Sequence, residues 1–246
     1  MKILLLDIET APNLAYVWGM WKQNINLDAL VESGYTMCWA AKWLGEKEIM
    51  FDSIYQSTPR QMVRRIHKLI NEADVVIHFN GTKFDMPTLN KEFLLFNLKP
   101  PSNYKEVDLL KTCRRKFRFP SNKLDYVAKV LGLKGKFKHI GYELWTRCMA
   151  LEEKAWKMME RYNKQDVKLL EQVYYKLLPW IPNHPNVGLY SGEYRPQCRN
   201  CGSTRVQKRG VEHTASYTYK RYVCLDCGKW QRGTQNIKSP CHEILI

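Results

Sequence analysis

Ile3-Leu4-Leu5-Leu6 is a continuous apolar run that ends in Asp7-Ile8-Glu9-Thr10, and this junction limits the possible folds more than any other stretch of the chain. Four apolar residues in succession suit a strand buried on both faces, as in the interior of an α/β sheet. Strand side chains alternate with period two, so Asp7 and Glu9 point to the same side, about 7 Å apart along the backbone. Thr10-Ala11-Pro12 stops the strand, which leaves the pair at its exposed end, where open α/β sheets bind ligands. Two carboxylates so arranged can grip a cation. Alone, an Asp-x-Glu is an ordinary solvated strand end; it is the rest of the chain that gives this one meaning.

Downstream, Leu14 to Trp18, Thr36 to Leu44 and Lys47 to Phe51 read as strands, an antiparallel start to a sheet, with residues 19 to 34 as an insertion. Thr58-Pro59 opens a helix to about Asn71, with Met62, Ile66, Leu69 and Ile70 on one face. Val75 to Phe79 is a buried strand ending at Asn80-Gly81, so strand, helix and strand predict a parallel crossover. Phe84-Asp85 follows and starts a helix over Pro87 to about Leu98, with Leu89, Phe93 and Phe96 as its apolar side. Asp85 is thereby expected beside a strand end, where an N-cap role competes for its oxygens. Two further helices are expected around Asp108 to Phe117 and Asn122 to Leu131, and a long one over Glu152 to Leu178. On the last, Trp156, Met159, Val167, Leu170 and Tyr174 recur at core spacing, and Tyr162 and Asp166 share one face a turn apart.

The chain's net charge of +15 points to a polyanionic partner. Lys105 to Lys138 holds eleven Lys and Arg against three Asp and Glu, a net of +8, and is the candidate for a groove that tracks a phosphate backbone; a solvated helical face is the alternative. No apolar run approaches a membrane span, and the apolar segment before Asp7 is too short for a secretory signal, so an intracellular, cytoplasmic protein is expected. Asp7, Glu9, Asp85 and Asp166 converging would repel one another without metal, and hard divalent ions prefer such carboxylate oxygens. The set fits a two-metal phosphodiester hydrolase.

Four of the eight cysteines form two Cys-x-x-Cys pairs, Cys198 with Cys201 and Cys224 with Cys227, 22 residues apart. In a reducing compartment this spacing predicts one tetrahedral structural Zn²⁺. Cys38, Cys113 and Cys148 lie among apolar neighbours as core or surface thiols, and Cys241-His242 is a lesser source of zinc ligands because four cysteines already complete a site. Thr204 to Gln207 and Tyr217 to Val223 read as a hairpin between the knuckles, and the unit resembles a zinc ribbon. From residue 183 onward ten Lys and Arg face four Asp and Glu, with Trp230 and tyrosines interleaved. That composition suits strand binding by charge and stacking; a purely structural or protein-docking ribbon is the competing reading. The expected organisation is a main domain over 1–182, a linker over 183–197 and a zinc ribbon over 198–246, in a monomer.

Asp7-Ile8-Glu9-Thr10, Asn80-Gly81-Thr82-Lys83-Phe84-Asp85 and Tyr162-Asn163-Lys164-Gln165-Asp166 resemble, in order and spacing, the three exonuclease motifs of the DEDD superfamily in its tyrosine-containing branch. The histidine branch would place His five residues before the last Asp, where this chain has Arg161. Ser121-Asn122-Lys123-Leu124-Asp125-Tyr126-Val127-Ala128 with Leu131-Gly132 also resembles the proofreading exonuclease domain of family B DNA polymerases. The resemblance spans residues 1 to about 182, and with no polymerase domain following, a stand-alone nuclease of the kind small phage genomes carry is expected. It implies an α/β, ribonuclease H-like mixed sheet flanked by helices, and 3′-to-5′ removal of nucleoside monophosphates with two Mg²⁺ or Mn²⁺. Asp7, Glu9 and Asp166 would hold one ion, Asp7 with Asp85 the second, and Tyr162 would orient the attacking water. Thr10, Asn80, Lys123 and Lys164 are the implied substrate contacts, Phe84 a packing residue. DNA is favoured over RNA; an RNA 3′-exonuclease, a catalytically silent nucleic-acid-binding protein and a resolvase-like endonuclease are the competing readings.

Overall fold

Strand β1 (Ile3–Thr10) is the axis of a five-stranded mixed sheet. The structure, a computed structural model, describes residues 1–135 and 140–237, and divides into a unit of residues 2–173 and a unit of residues 174–246 together with Met1. In the first unit β1 pairs antiparallel with β4 (Thr36–Trp43), which pairs antiparallel with β5 (Met50–Ser53). On its other side β1 runs parallel to β6 (Val75–His78), and β6 parallel to β7 (Lys105–Asp108). The order is β5-β4-β1-β6-β7, as an antiparallel start followed by a crossover requires.

Leu4, Leu5 and Leu6 are wholly buried because both faces of the sheet are covered. Alternation sends Leu4, Leu6 and Ile8 into one core with α1 (Pro59–Glu72) and α2 (Asp85–Leu95). The first of these helices starts where Thr58 and Gln61 form a reciprocal capping box before Pro59, and it buries Met62, Val63, Ile66 and Ile70. Truncating Ile66 to alanine there would cost about 2–5 kcal/mol. On the opposite face Met37 and Cys38 pack with α5 (Glu143–Met149) and α6 (Glu153–Leu177), through Leu144, Cys148, Trp156, Met159 and Tyr162. A partly buried ion pair of Lys42 on β4 with Glu171 ties α6 to the sheet. The odd residues of β1, Asp7 and Glu9 among them, therefore face the layer that carries α6.

Several boundaries depart from expectation. The expected strand Leu14 to Trp18 is only β2 (Leu14–Ala15), which pairs with β3 (Leu30–Glu32) and leaves Trp18 and Trp21 exposed; Lys47 to Phe51 shifts to β5. Asp85 starts α2 as its first helical residue instead of capping it, and Leu94 and Leu95 at its end are exposed. The basic stretch forms β7, α3 (Leu109–Lys116) and α4 (Leu124–Val130), with Asp108 capping α3 by accepting from Leu110 N and Lys111 N. Arg114, Arg115 and Lys116 are exposed; Lys136 and Lys138 lie outside the described residues.

In the second unit the expected hairpin is a three-stranded antiparallel sheet of β8 (Val206–His213), β9 (Thr218–Cys224) and β10 (Trp230–Ile237), in the order β10-β9-β8. Apart from buried Cys224 its strands are half-buried or exposed, so packing alone offers little stability. Tyr174 and buried His184 anchor the start of this unit: His184 Nδ1–H donates to Pro185 O at 2.7 Å, which leaves Nε2 to accept from the Tyr174 hydroxyl at 2.8 Å. Cys241 and His242 lie outside the described residues. Among the described residues no helix is long and apolar enough to cross a membrane.

Candidate metal centre and its surroundings

Three of the four predicted acids meet. Carboxylate oxygens of Asp7, Glu9 and Asp166 all lie within 4.8 Å of one another. Asp7 and Glu9 come from consecutive same-side positions of β1, opposite Ala40 and Cys38 of β4, and Asp166 from the middle of α6, almost fully buried. Past Glu9 the pairing slips by one residue of β4, so that Thr10 faces Thr36, a bulge past which the Ala11 N–H still donates to Tyr35 O at 2.9 Å. Three ionised carboxylates at this separation repel by roughly 3 kcal/mol per pair at an effective dielectric near 20. A divalent cation relieves that repulsion, and an all-carboxylate donor set suits Mg²⁺ or Mn²⁺.

Asp85 stands apart from this trio. Its Oδ1 accepts the Ile8 N–H at 3.2 Å, between the two acids of β1. β6 pairs with β1 only as far as Leu5, so the Ile8 amide has no strand partner on that side and the Asp85 carboxylate serves as one. Burial pushes Asp85 up to about 6; the nearby His78 and the Ile8 N–H oppose the rise, and Asp108 adds to it. Tyr162, one turn before Asp166 on α6, is nearly buried and meets Trp145 edge-on at 5.9 Å.

Residues that sequence reasoning passed over complete the surroundings. Asn163 is wholly buried; its Nδ2 donates to Asp7 Oδ2 at 2.6 Å and its Oδ1 accepts from the Cys38 thiol at 3.9 Å, which fixes both the amide and the carboxylate. Burial first, then Glu9 and Asp7, push that thiol well above its usual range, so it acts as a neutral donor. An available signal was its place three residues before Asp166, a polar side chain on an apolar helix face. His78, at the end of β6, accepts the Gly81 N–H on Nδ1 at 3.0 Å and gives its Nε2 to Glu106 at 3.2 Å. A Cβ on Gly81 would lie 2.3 Å from His78 Cγ, so only glycine fits that turn. Asn80 holds a left-handed φ of 76°, and its N–H donates to Asp108 Oδ1 at 2.9 Å. The loop leading to Asp85 is thus held by buried polar groups on both sides.

Of the expected substrate contacts, Thr10 sits at the register slip and Asn80 at the left-handed turn. Lys123 is the exposed residue preceding α4. Lys164 is paired with Glu160 at 2.6 Å on its own helix. Phe84, expected to pack, is exposed.

In the other unit, Sγ atoms of Cys198, Cys201, Cys224 and Cys227 all lie within 4.8 Å of one another, with closest pairs at 3.5 and 3.6 Å. Tetrahedral Zn–S bonds of about 2.3 Å set sulfurs roughly 3.8 Å apart, so the cluster is compatible with a zinc ribbon. Gly202 and Gly228, at φ 76° and 78°, close the knuckles by donating to Cys198 O and Cys224 O. Burial pushes Cys227 up to about 11, and a cation is what would hold such a thiol as thiolate.

The model of a family described as the RNase_H superfamily, RNase_H_2, matches residues 4–178. The chain belongs to the RNase H superfamily. Among solved structures it is similar to the family B DNA polymerase from the hyperthermophilic archaeon Pyrobaculum calidifontis, at 17% identity and a TM-score of 0.54. The match covers 72% of this chain and 24% of that one, so the chain spans about a quarter of the polymerase's length. A search of curated proteins gave no match. The RNase H-like fold, with an acidic cluster at the end of its central strand, supports nuclease activity on a nucleic acid.

Proposed function

We propose that this RNase H-like chain is a two-metal-ion 3′-to-5′ exonuclease that removes nucleoside 5′-monophosphates from DNA, single-stranded by preference. The observation that carries the reading is the meeting of Asp7, Glu9 and Asp166 within 4.8 Å at the end of the central strand, with Tyr162 one turn away on the helix that supplies Asp166. Asp7, Glu9 and Asp166 would hold one divalent ion and Asp7 with Asp85 the second; bound there, such ions lower the pKa of an attacking water and stabilise the leaving oxygen. Asn163 fixes Asp7 through its amide. Tyr162 orients the water by its hydroxyl; a phenol ordinarily ionises near pH 10 and is a poor base at neutrality. Thr10 and Asn80, beside the two strand ends, contact the terminal nucleotide, and Lys123 and Lys164 the phosphates, Lys164 by exchanging its Glu160 partner. The order and spacing of the three motifs, and the polymerase among similar structures, favour DNA over RNA. Residues 1–182 form the nuclease, 183–197 a linker and 198–246 a ribbon with one structural zinc, in a monomer working in the cytoplasm.

Labelled oligonucleotides with Mg²⁺ or Mn²⁺ test this. A 5′-labelled DNA strand should shorten stepwise from its 3′ end, and Asp7→Ala should slow this at least a hundredfold while leaving the fold intact. Wild-type rates in Asp7→Ala, or cuts at internal positions, would overturn the assignment; faster digestion of matched RNA would reassign the substrate.

A further inference from the structure

The unit of residues 174–246 carries a feature that neither acidic cluster nor zinc site accounts for. A cleft of about 1300 Å³ opens on it, walled by Tyr194, Arg195, Lys220, Tyr222, Trp230 and Arg232. Among the described residues five Lys and Arg line it against one acid, Glu212. Two of the five are committed to main-chain oxygens: Arg199 donates to His184 O at 2.8 Å and Lys229 to Ile181 O at 3.2 Å. Arg195, Lys220 and Arg232 are exposed and supply the charge that meets solvent.

The aromatic groups are arranged with the cations. The Arg232 guanidinium lies 4.3 Å from the Tyr219 ring centroid, and Trp230 is backed at 4.9 Å by that of Arg221, whose Nε donates to Arg209 O at 3.0 Å. A guanidinium stacked on a ring keeps its N–H donors pointing outward in its own plane, where a phosphate reaches them. Trp230 remains half exposed and Tyr194 fully so, on a sheet whose exposed polar strands β8 and β10 leave little apolar area for a protein to bury. The cleft exceeds what a small ligand fills. Among the described residues no helix that a duplex groove would accept lines it. Cations set beside half-exposed aromatic rings suit an extended polyanion whose units carry their own flat rings.

We propose that this cleft binds single-stranded nucleic acid, with phosphates on Arg195, Lys220 and Arg232 and bases stacked on Trp230 and the neighbouring tyrosines. The proposal stands on this unit alone and holds whether or not the acidic cluster cleaves.

The test uses the full chain, zinc retained, in magnesium-free buffer, with fluorescence anisotropy of a labelled twenty-nucleotide oligothymidylate as probe. Trp230→Ala should weaken binding about tenfold, and Trp230→Phe should restore most of the loss. Arg195→Ala with Lys220→Ala should reduce the slope of log affinity against log salt by about 1.4. Zinc content equal to wild type certifies the ribbon in each variant, and should Trp230→Ala lose zinc, the surface double variant decides. A poly-glutamate peptide of equal charge should compete poorly. Unchanged affinity and salt slope in zinc-replete variants would overturn the proposal, and displacement by poly-glutamate as effective as by unlabelled oligonucleotide would assign the cleft to an acidic protein. Cleavage of a tetranucleotide, measured in parallel, should be unchanged in these variants; its absence even in wild type would count against the nuclease reading and leave the binding result standing.

Discussion

Replacing Asp85 by asparagine should make the metal-free protein more stable while impairing cleavage. Asp85 is 4% exposed, and burial raises its pKa from 3.8 to about 6. Below about pH 4 the carboxyl is protonated in both folded and unfolded chains, and no difference arises. Between about pH 4 and 6 the unfolded chain gives up the proton that the fold retains, so stability falls as pH rises; above about 6 the full penalty is present. A difference of about two pKa units corresponds to about 3 kcal/mol at pH 7.5. Asparagine keeps an oxygen to accept the Ile8 N–H, now 3.2 Å away, and carries no charge to desolvate. Urea unfolding in magnesium-free, zinc-retaining buffer should therefore find Asp85→Asn about 2–3 kcal/mol more stable than wild type at pH 7.5, with the gap closing toward pH 4. Mn²⁺ should narrow the gap at pH 7.5 by stabilising wild type more than the variant. A variant no more stable than wild type at pH 7.5, or a gap indifferent to pH, would show that Asp85 carries no burial penalty.

Other consequences concern the groups around the two centres. Asn163→Ala removes the 2.6 Å bond to Asp7 and strands the Cys38 thiol, so stability should drop by about 1–3 kcal/mol. Its Mn²⁺ affinity by calorimetry should fall about 10- to 100-fold, and an unchanged affinity would show that Asp7 needs no such support. Elemental analysis should find one zinc per chain, lost in Cys224→Ser, with hydrogen-exchange protection collapsing in β8, β9 and β10 but persisting in β1 and β6; protection retained there without zinc would mean that the sheet folds on its own.

What could be read ahead of the structure was whatever rests on local pattern. The apolar run before Asp7 demanded a strand covered on both faces, Thr58-Pro59 and the spacing of Met62, Ile66 and Ile70 demanded α1, and the Cys-x-x-Cys pairs announced their own cluster. Strand β7 gave no such sign, because an edge strand pairs on one side only and Lys105-Glu106-Val107-Asp108 buries little beyond Val107 and Asp108. Strand β10 was missed for a related reason: Trp230 to Ile237 alternates polar residues on a sheet that has almost no core, so no hydrophobic period marks it. The convergence of Asp7, Glu9 and Asp166 followed from strand alternation and motif order, but the standing of Asp85 outside that trio depends on how far β6 runs beside β1, a tertiary offset that no local pattern encodes. Asn163 sat in plain view within the third motif, yet only the packing of α6 on β1 and β4 reveals that its amide bridges Asp7 and Cys38.

Crystals soaked in Mn²⁺, with anomalous diffraction collected at the manganese edge, test the central claim most directly. A peak bonded to oxygens of Asp7, Glu9 and Asp166 is expected, with a second about 4 Å away toward Asp85 when a nucleotide product is present. Those three carboxylates without a shared peak at saturating Mn²⁺ would contradict it.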